Sequence, residues 1–141
     1  MASANAELIR EAIDSFNRDG PETLTRFFHP DAVSYPFPEW PDQREYRGRA
    51  GTAEIATQWT ELFDQYRWDI RHLLETGDSV VVLAVHSGRA RGSGLETSSP
   101  VSAVFGEFRE GLVARVQYFL TWREALELAG LDVDAVPGHD G

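Results

Sequence analysis

Asp69 and His86 are the two residues of this 141-residue chain whose types and spacing best suit proton transfer. If Gly77-Asp78 forms a two-residue hairpin turn, they lie directly opposite on neighbouring strands and share a face of the sheet. The carboxylate would then orient the imidazole and leave its other ring nitrogen to move a proton. A bulge between them breaks this register, and an ordinary structural or solvated sheet pair is the plain alternative. Tyr118, in the stretch LVARVQYFLTWREALELA, is a third candidate. Its hydroxyl can hold a ligand carbonyl or stabilise an oxyanion where water is excluded. With an ordinary pKa of about 10 it is a poor general base, and its plain reading is a core tyrosine with a wet hydroxyl.

Strict alternation separates these candidates. Two-residue turns place Tyr118 opposite Ala103, and a turn centred on Ser93 places Ala103 opposite Leu83, on the face that His86 does not share. Tyr118 and His86 meet in one cavity only if a bulge, for instance around Pro100, changes the parity.

Trp59, Phe63, Trp68 and Trp122 can wall a cavity for a flat ligand, because aromatic rings give large contact area with few flexible bonds. The same residues serve equally well as core. Tyr35, Phe37 and Trp40 can form a lid or rim beside Tyr46, and Gln117 can offer an amide contact to a ligand or face water. No metal is expected: His29-Pro30-Asp31 lacks a recurrent ligand arrangement, and His72 and His86 have no readable third partner. RGRAG and RARGSG lack the pattern of a dinucleotide or phosphate loop, so no cofactor is expected either.

The elements that must position these residues follow from periodicity. Leu8, Ile9, Ala12, Ile13 and Phe16 form one helical stripe, Gly20-Pro21 ends it, and Pro21 opens a second short helix. A short strand around Ala32 to Tyr35 leads into a loop set by Pro36, Pro38 and Pro41. GTAEIATQWTELFDQY has Ile55, Ala56, Trp59, Leu62, Phe63 and Tyr66 at helical spacing, with Thr52 as a candidate N-cap. From Trp68 onward four strands follow, separated near Gly77-Asp78, Gly92-Ser93-Gly94 and Glu110-Gly111, and such short turns favour antiparallel neighbours. Thr121 and Glu124 form a capping box before a last helix that Gly130 stops.

A net charge of −10 spread along the chain disfavours nucleic acid and anionic membranes as partners. The absence of cysteine excludes thiolate chemistry and disulfides. No apolar run approaches the roughly 20 residues of a membrane span, and the N-terminal segment does not read as a secretion leader, so a cytoplasmic protein is expected.

At GRAGTAEIATQW, RARGSG, FREGLVARVQYF and REALELAGL the sequence resembles the SnoaL-like group of the nuclear-transport-factor-like superfamily, over roughly residues 5 to 131. Residues 132–141 are then expected to be a flexible tail. The resemblance implies an α+β, cone-like domain whose N-terminal helices pack on a curved, mainly antiparallel sheet enclosing a pocket, and a homodimer. Its relatives include polyketide cyclases, ketosteroid isomerases, epoxide hydrolases and proteins without catalytic activity. The cyclase-like acid position falls near Tyr118, and the isomerase-like acid position near Val104, so neither acid is retained. The function expected is a pocket for a small, partly apolar cyclic metabolite. The alternative is a cofactor-independent isomerase, cyclase or epoxide hydrolase using acid/base chemistry.

Overall fold

The computed structural model describes residues 3–136. The apolar stripe forms α1 (Ala4–Asp19), capped by the Ser3 hydroxyl accepting from the Ala6 N–H, with Ile9, Ala12, Ile13 and Phe16 buried. Gly20 ends it at φ 100°, and Pro21 opens a 3-10 helix, Pro21–Phe27. Strand β1 (Phe28–Tyr35), the short β2 (Tyr46–Arg47) and helix α2 (Gly48–Leu62) follow. Strands β3 (Phe63–Thr76), β4 (Ser79–Ala90), β5 (Glu96–Arg109) and β6 (Leu112–Phe119) then form a meander, and α3 (Trp122–Leu128) returns to it.

The sheet order is β2-β1-β6-β5-β4-β3, antiparallel except where β1 lies parallel to β6. The long crossover through β2, α2, β3, β4 and β5 is what permits that parallel pair. Helices α1 and α2 cover one face over a core that includes Phe16, Phe28, Ile55, Trp59, Val82 and Tyr118. On the other face α3 buries Trp122, Ala125 and Leu126 against Val81, Leu83 and Val104. The α+β expectation is met.

Several local expectations change. Helix α2 starts at Gly48, not at Thr52, whose hydroxyl instead donates to the Gly48 carbonyl at 3.2 Å. It stops at Leu62, so Phe63 and Tyr66 belong to a strand rather than to the helix. Between Asp64 and Arg67 the register slips by one residue, with Gln65 at φ 56°. This bulge lets Phe63 and Tyr66, three apart, stack on the same side with centroids 5.7 Å apart. Gly88 makes room for it, since a Cβ there would lie 2.8 Å from that of Phe63.

One side of the capping box forms, with the Glu124 N–H on Thr121 Oγ1 at 3.2 Å; the Glu124 carboxylate turns instead to the Thr121 hydroxyl, which donates to its Oε1 at 2.7 Å. Gly130 at φ 74° and a Leu131 N–H to Leu126 carbonyl bond of 2.9 Å close the C-terminus. Within the stretch read as a tail, Val133–Ala135 forms a 3-10 turn and Val136 packs on the α3 cluster, while residues 137–141 lie outside the described ones. Strand β6 pairs with β5 only from Ser102 onward, so among the described residues Glu96 to Val101 have β4 alone as a strand neighbour.

Candidate functional site

The register decides which side chains meet. A second slip in β3, between Ile70 and His72, leaves Arg71 unpaired, so Trp68 and not Asp69 faces His86. Asp69 lies opposite Val85, exposed, with Arg71 at 3.5 Å. The expected Asp69–His86 pair therefore does not form: the turn sets the register as anticipated, and one extra residue upstream reverses the parity.

The second parity error cancels the anticipated obstacle. Tyr118 lies opposite Ala103 as expected, but Ala103 lies opposite Val82 rather than Leu83. The β4–β5 loop is centred between Gly92 and Ser93, which shifts the pairing by one residue, and the ladder then runs without a break through Val85 and Pro100. Val82, Ala84 and His86 alternate onto one face, so Tyr118 and His86 look into the same concavity with no bulge at Pro100.

That concavity is filled with rings. Trp59 stacks on Trp68 with centroids 5.7 Å apart and meets Tyr118 edge-on at 4.8 Å. From the proline-rich loop Phe37 folds inward, 2% exposed, stacking on Trp59 at 5.5 Å. Its ring also meets Tyr118 at 6.2 Å and His86 at 6.5 Å, each edge-on. Trp40 packs behind it at 6.0 Å, with its indole N–H donating to Gln58 Oε1 at 2.5 Å. The Gln43 amide pins the same loop through the carbonyls of Phe37 and Trp40, each at 2.7 Å.

Two polar atoms in this shell lack protein partners. Trp59 Nε1 is buried without a hydrogen bond, whereas the Tyr118 hydroxyl, bonded to no protein group among the described residues, is not sealed from solvent although the residue as a whole is 4% exposed. Leaving a buried N–H such as that of Trp59 unpaired costs about 1–3 kcal/mol. Trp59 and Tyr118 line one cavity of about 30 Å³ with Phe16, Leu24, Phe28 and Trp68. That is room for about one or two water molecules.

At the mouth a hydrogen-bond chain runs across three strands. Trp68 Nε1–H donates to Tyr66 Oη at 2.9 Å, Tyr66 Oη lies 2.6 Å from His86 Nδ1, and His86 Nε2 lies 2.9 Å from Ser99 Oγ. Burial pushes the His86 imidazolium pKa down to about 4, so the ring is neutral at pH 7. Burial raises the Tyr66 and Tyr118 phenols, against a smaller opposing effect of the Trp68 donor on Tyr66. The Asn17 amide anchors β3 here, bonding both the N–H and the carbonyl of Trp68 at 2.9 and 2.6 Å.

Other expected pocket residues stand elsewhere. Trp122 and Val104 are buried on the opposite face beneath α3, with the Trp122 indole N–H on the Ala84 carbonyl at 2.8 Å. Gln117 pairs with Val104 and shares that outer face, because consecutive residues of a strand cannot both point inward. Tyr35 pairs with Gln117 at the rim, its hydroxyl on Glu45 Oε2 at 2.8 Å and the Arg115 guanidinium 5.0 Å from its ring centroid. Phe63 stands at the mouth against Tyr66, and Trp59, Trp68 and Trp40 are in the aromatic shell. Sequence reasoning missed Tyr66, which helical spacing assigned to α2, and Ser99, which carries no signal until the register is known. The carboxylates are all outside: every described Asp and Glu is exposed except Glu124, half-buried in the α3 cap.

Comparison with solved structures supports the fold. The chain is similar to a protein of ketosteroid isomerase-like fold from Catenulispora acidiphila in complex with trimethylamine, at 18% identity and TM-score 0.70, covering 93% of this chain and 98% of that one. It is similar to TerC co-crystallised with polyporic acid, at 22% identity and TM-score 0.72, covering 89% and 99%. An NTF2-like protein from Burkholderia thailandensis gives 17% identity and TM-score 0.73, covering 93% and 100%. No curated protein matches in sequence. The family model of the SnoaL-like domain matches residues 9–116, and the chain belongs to that family.

Proposed function

We propose that this protein is a receptor for a small, partly apolar cyclic molecule, which enters the concave face by displacing the Phe37 ring. The observation that carries this reading is an aromatic cavity lined by Trp59, Trp68 and Tyr118, with Phe37 stacked on Trp59, the Trp59 N–H buried without a partner and the Tyr118 hydroxyl bonded to no protein group among the described residues. A ring-shaped guest with an oxygen at that depth would satisfy both polar atoms and keep the aromatic contacts that Phe37 now makes. Binding rather than acid/base turnover is favoured because no carboxylate reaches the concavity. His86, with a pKa of about 4, is a weak base at pH 7.

The test is titration of the parent protein with a cyclic ketone, 1-indanone, followed by tryptophan fluorescence and by turnover assays. Phe37→Ala, or Phe37→Leu should the first variant not fold, should bind it more tightly by several-fold. Tyr118→Phe should bind it several-fold more weakly. Unchanged binding in folded Phe37 and Tyr118 variants would remove the reading, and turnover lost in Tyr118→Phe would replace it with catalysis.

A further inference from the structure

The segment that carries Phe37 has its own internal fastening. Pro38 and Glu39 occupy the middle of a turn closed by the Trp40 N–H on the Phe37 carbonyl at 2.9 Å, and proline in the first middle position has its φ already set for such a turn. The Gln43 amide donates to the same Phe37 carbonyl and to that of Trp40. Residues 36–43 thus hold their shape by bonds among themselves, and Pro36, Pro38 and Pro41 restrict the backbone further.

The hold of this segment on the rest of the molecule is narrow. An open groove of about 370 Å³ flanks it on the β6 side, bordered by Pro36, Pro38, Gln43, Gln117 and Tyr118. A second, of about 390 Å³, flanks it on the α2 side, bordered by Trp40, Pro41, Gln58, Glu61 and Leu62. Between the grooves the Phe37 ring sits in the aromatic shell, and one side chain of α2 fastens the segment. Gln58 Oε1 accepts from Trp40 Nε1–H at 2.5 Å, and Gln58 Nε2 donates to Tyr46 Oη at 3.4 Å, which in turn donates to Asp42. The Arg44–Glu54 pair also reaches α2, but both groups are exposed and such pairs contribute little. Gln58 precedes Trp59, so the residue that fastens the segment and the residue that Phe37 covers are neighbours on one helix.

We propose that residues 36–43 form a strap that lifts as one body, with Gln58 as its latch, and that the closed strap is an autoinhibited state in which Phe37 occupies the place of the guest. This rests on the guest-binding reading above and adds what controls access. Lifting the strap breaks the Trp40–Gln58 bond, whereas turning the Phe37 side chain alone leaves that bond intact.

Two measurements test it, the first without a guest. Hydrogen exchange of the indole N–H groups is followed by proton–nitrogen NMR in the parent protein under low, non-denaturing urea. Strap lifting exposes little surface, so exchange at Trp59 should not respond to urea, while exchange at Trp122, buried on the opposite face, should rise with it. Gln58→Ala should speed exchange at Trp59 about three- to tenfold, the worth of one hydrogen bond, and leave it insensitive to urea. Trp59 exchange that follows urea as Trp122 does, or that ignores Gln58→Ala, would overturn the proposal. The second measurement is stopped-flow tryptophan fluorescence with 1-indanone. Gln58→Ala should raise the association rate constant by the same factor. The guest takes the place of Phe37 and the strap stays lifted in the complex, so dissociation should keep its rate and affinity should rise. Trp40→Phe removes the other half of the bond and should act alike if Gln58→Ala does not fold. Unchanged association in these variants, with Phe37→Ala still binding more tightly than the parent, would overturn the strap and spare the receptor reading. No binding of 1-indanone to the parent or to Phe37→Ala would bring down the receptor reading and the autoinhibition together, with the exchange at Trp59 still deciding whether the strap lifts.

Discussion

Trp68 and His86 face each other across β3 and β4, and their ring nitrogens reach one oxygen, Tyr66 Oη, at 2.9 and 2.6 Å. The indole donates to it, and the imidazole nitrogen shares the second hydrogen bond. This places a donor-only group at the inner end of a polar chain and a hydroxyl at the outer end. The consequences can be measured without knowing the natural guest.

The neutral state of His86 makes stability depend on acidity. Its pKa is depressed from 6.5 to about 4 in the folded protein, so between those values the unfolded chain binds more protons than the folded one. The contribution is fully present above pH 6.5 and is lost as pH falls from there toward 4. The slope has a ceiling of about 1.4 kcal/mol per pH unit, softened because the ring is partly exposed. Urea unfolding across this range should be flatter in His86→Gln than in the parent, and equal slopes would contradict the assignment.

Gly51 sits where α2 approaches the backbone of Tyr46. A Cβ there would lie 2.5 Å from the Tyr46 carbonyl carbon, and backbone cannot swing aside. Alanine favours a helix over glycine by about 1 kcal/mol, whereas overpacking of this kind costs roughly 1–3 kcal/mol. Gly51→Ala should therefore lower the unfolding free energy despite its better helix propensity. A stabilised variant would show that α2 shifts freely.

Trp122 belongs to the α3 side and should have no part in guest binding. Trp122→Phe leaves the buried Ala84 carbonyl without its 2.8 Å donor, at a cost of about 1–3 kcal/mol. Melting should fall while 1-indanone affinity in the folded variant stays within about twofold, a change under 0.5 kcal/mol. A large affinity loss would mean that the two faces of the sheet communicate.

Thr121→Ala should remove the Glu124 N–H cap and destabilise by about 1 kcal/mol, with Thr121→Ser retaining most of it. Chemical denaturation of the two variants separates the cap from the loss of a methyl group.

The fold was legible in the sequence because it rests on repeated, local signals. The stripe from Leu8 to Phe16, the three glycine-marked turns and the Thr121–Glu124 box each state their own geometry. The site rests instead on parity, which a single residue reverses. The Gly77-Asp78 turn sets the expected ladder from Thr76 to His72, and Arg71 then displaces everything before it, moving Trp68 into the place expected for Asp69. No residue type marks Arg71 as a bulge. Tyr66 was hidden by the same cause, since Gln65 at φ 56° lets a residue at helical spacing serve in a strand. Gln117 was the opposite kind of error: its neighbour Tyr118 points inward, so it could not.

Pro100 stands on the part of β5 that β6 does not reach. A proline in mid-strand is tolerable there because no ladder bond is required on that side. The same ring removes one rung from what would otherwise be an open template, so a strand arriving from another molecule finds an interrupted line of donors. An edge interrupted in this way is a poor template for edge-to-edge pairing along this margin of β5.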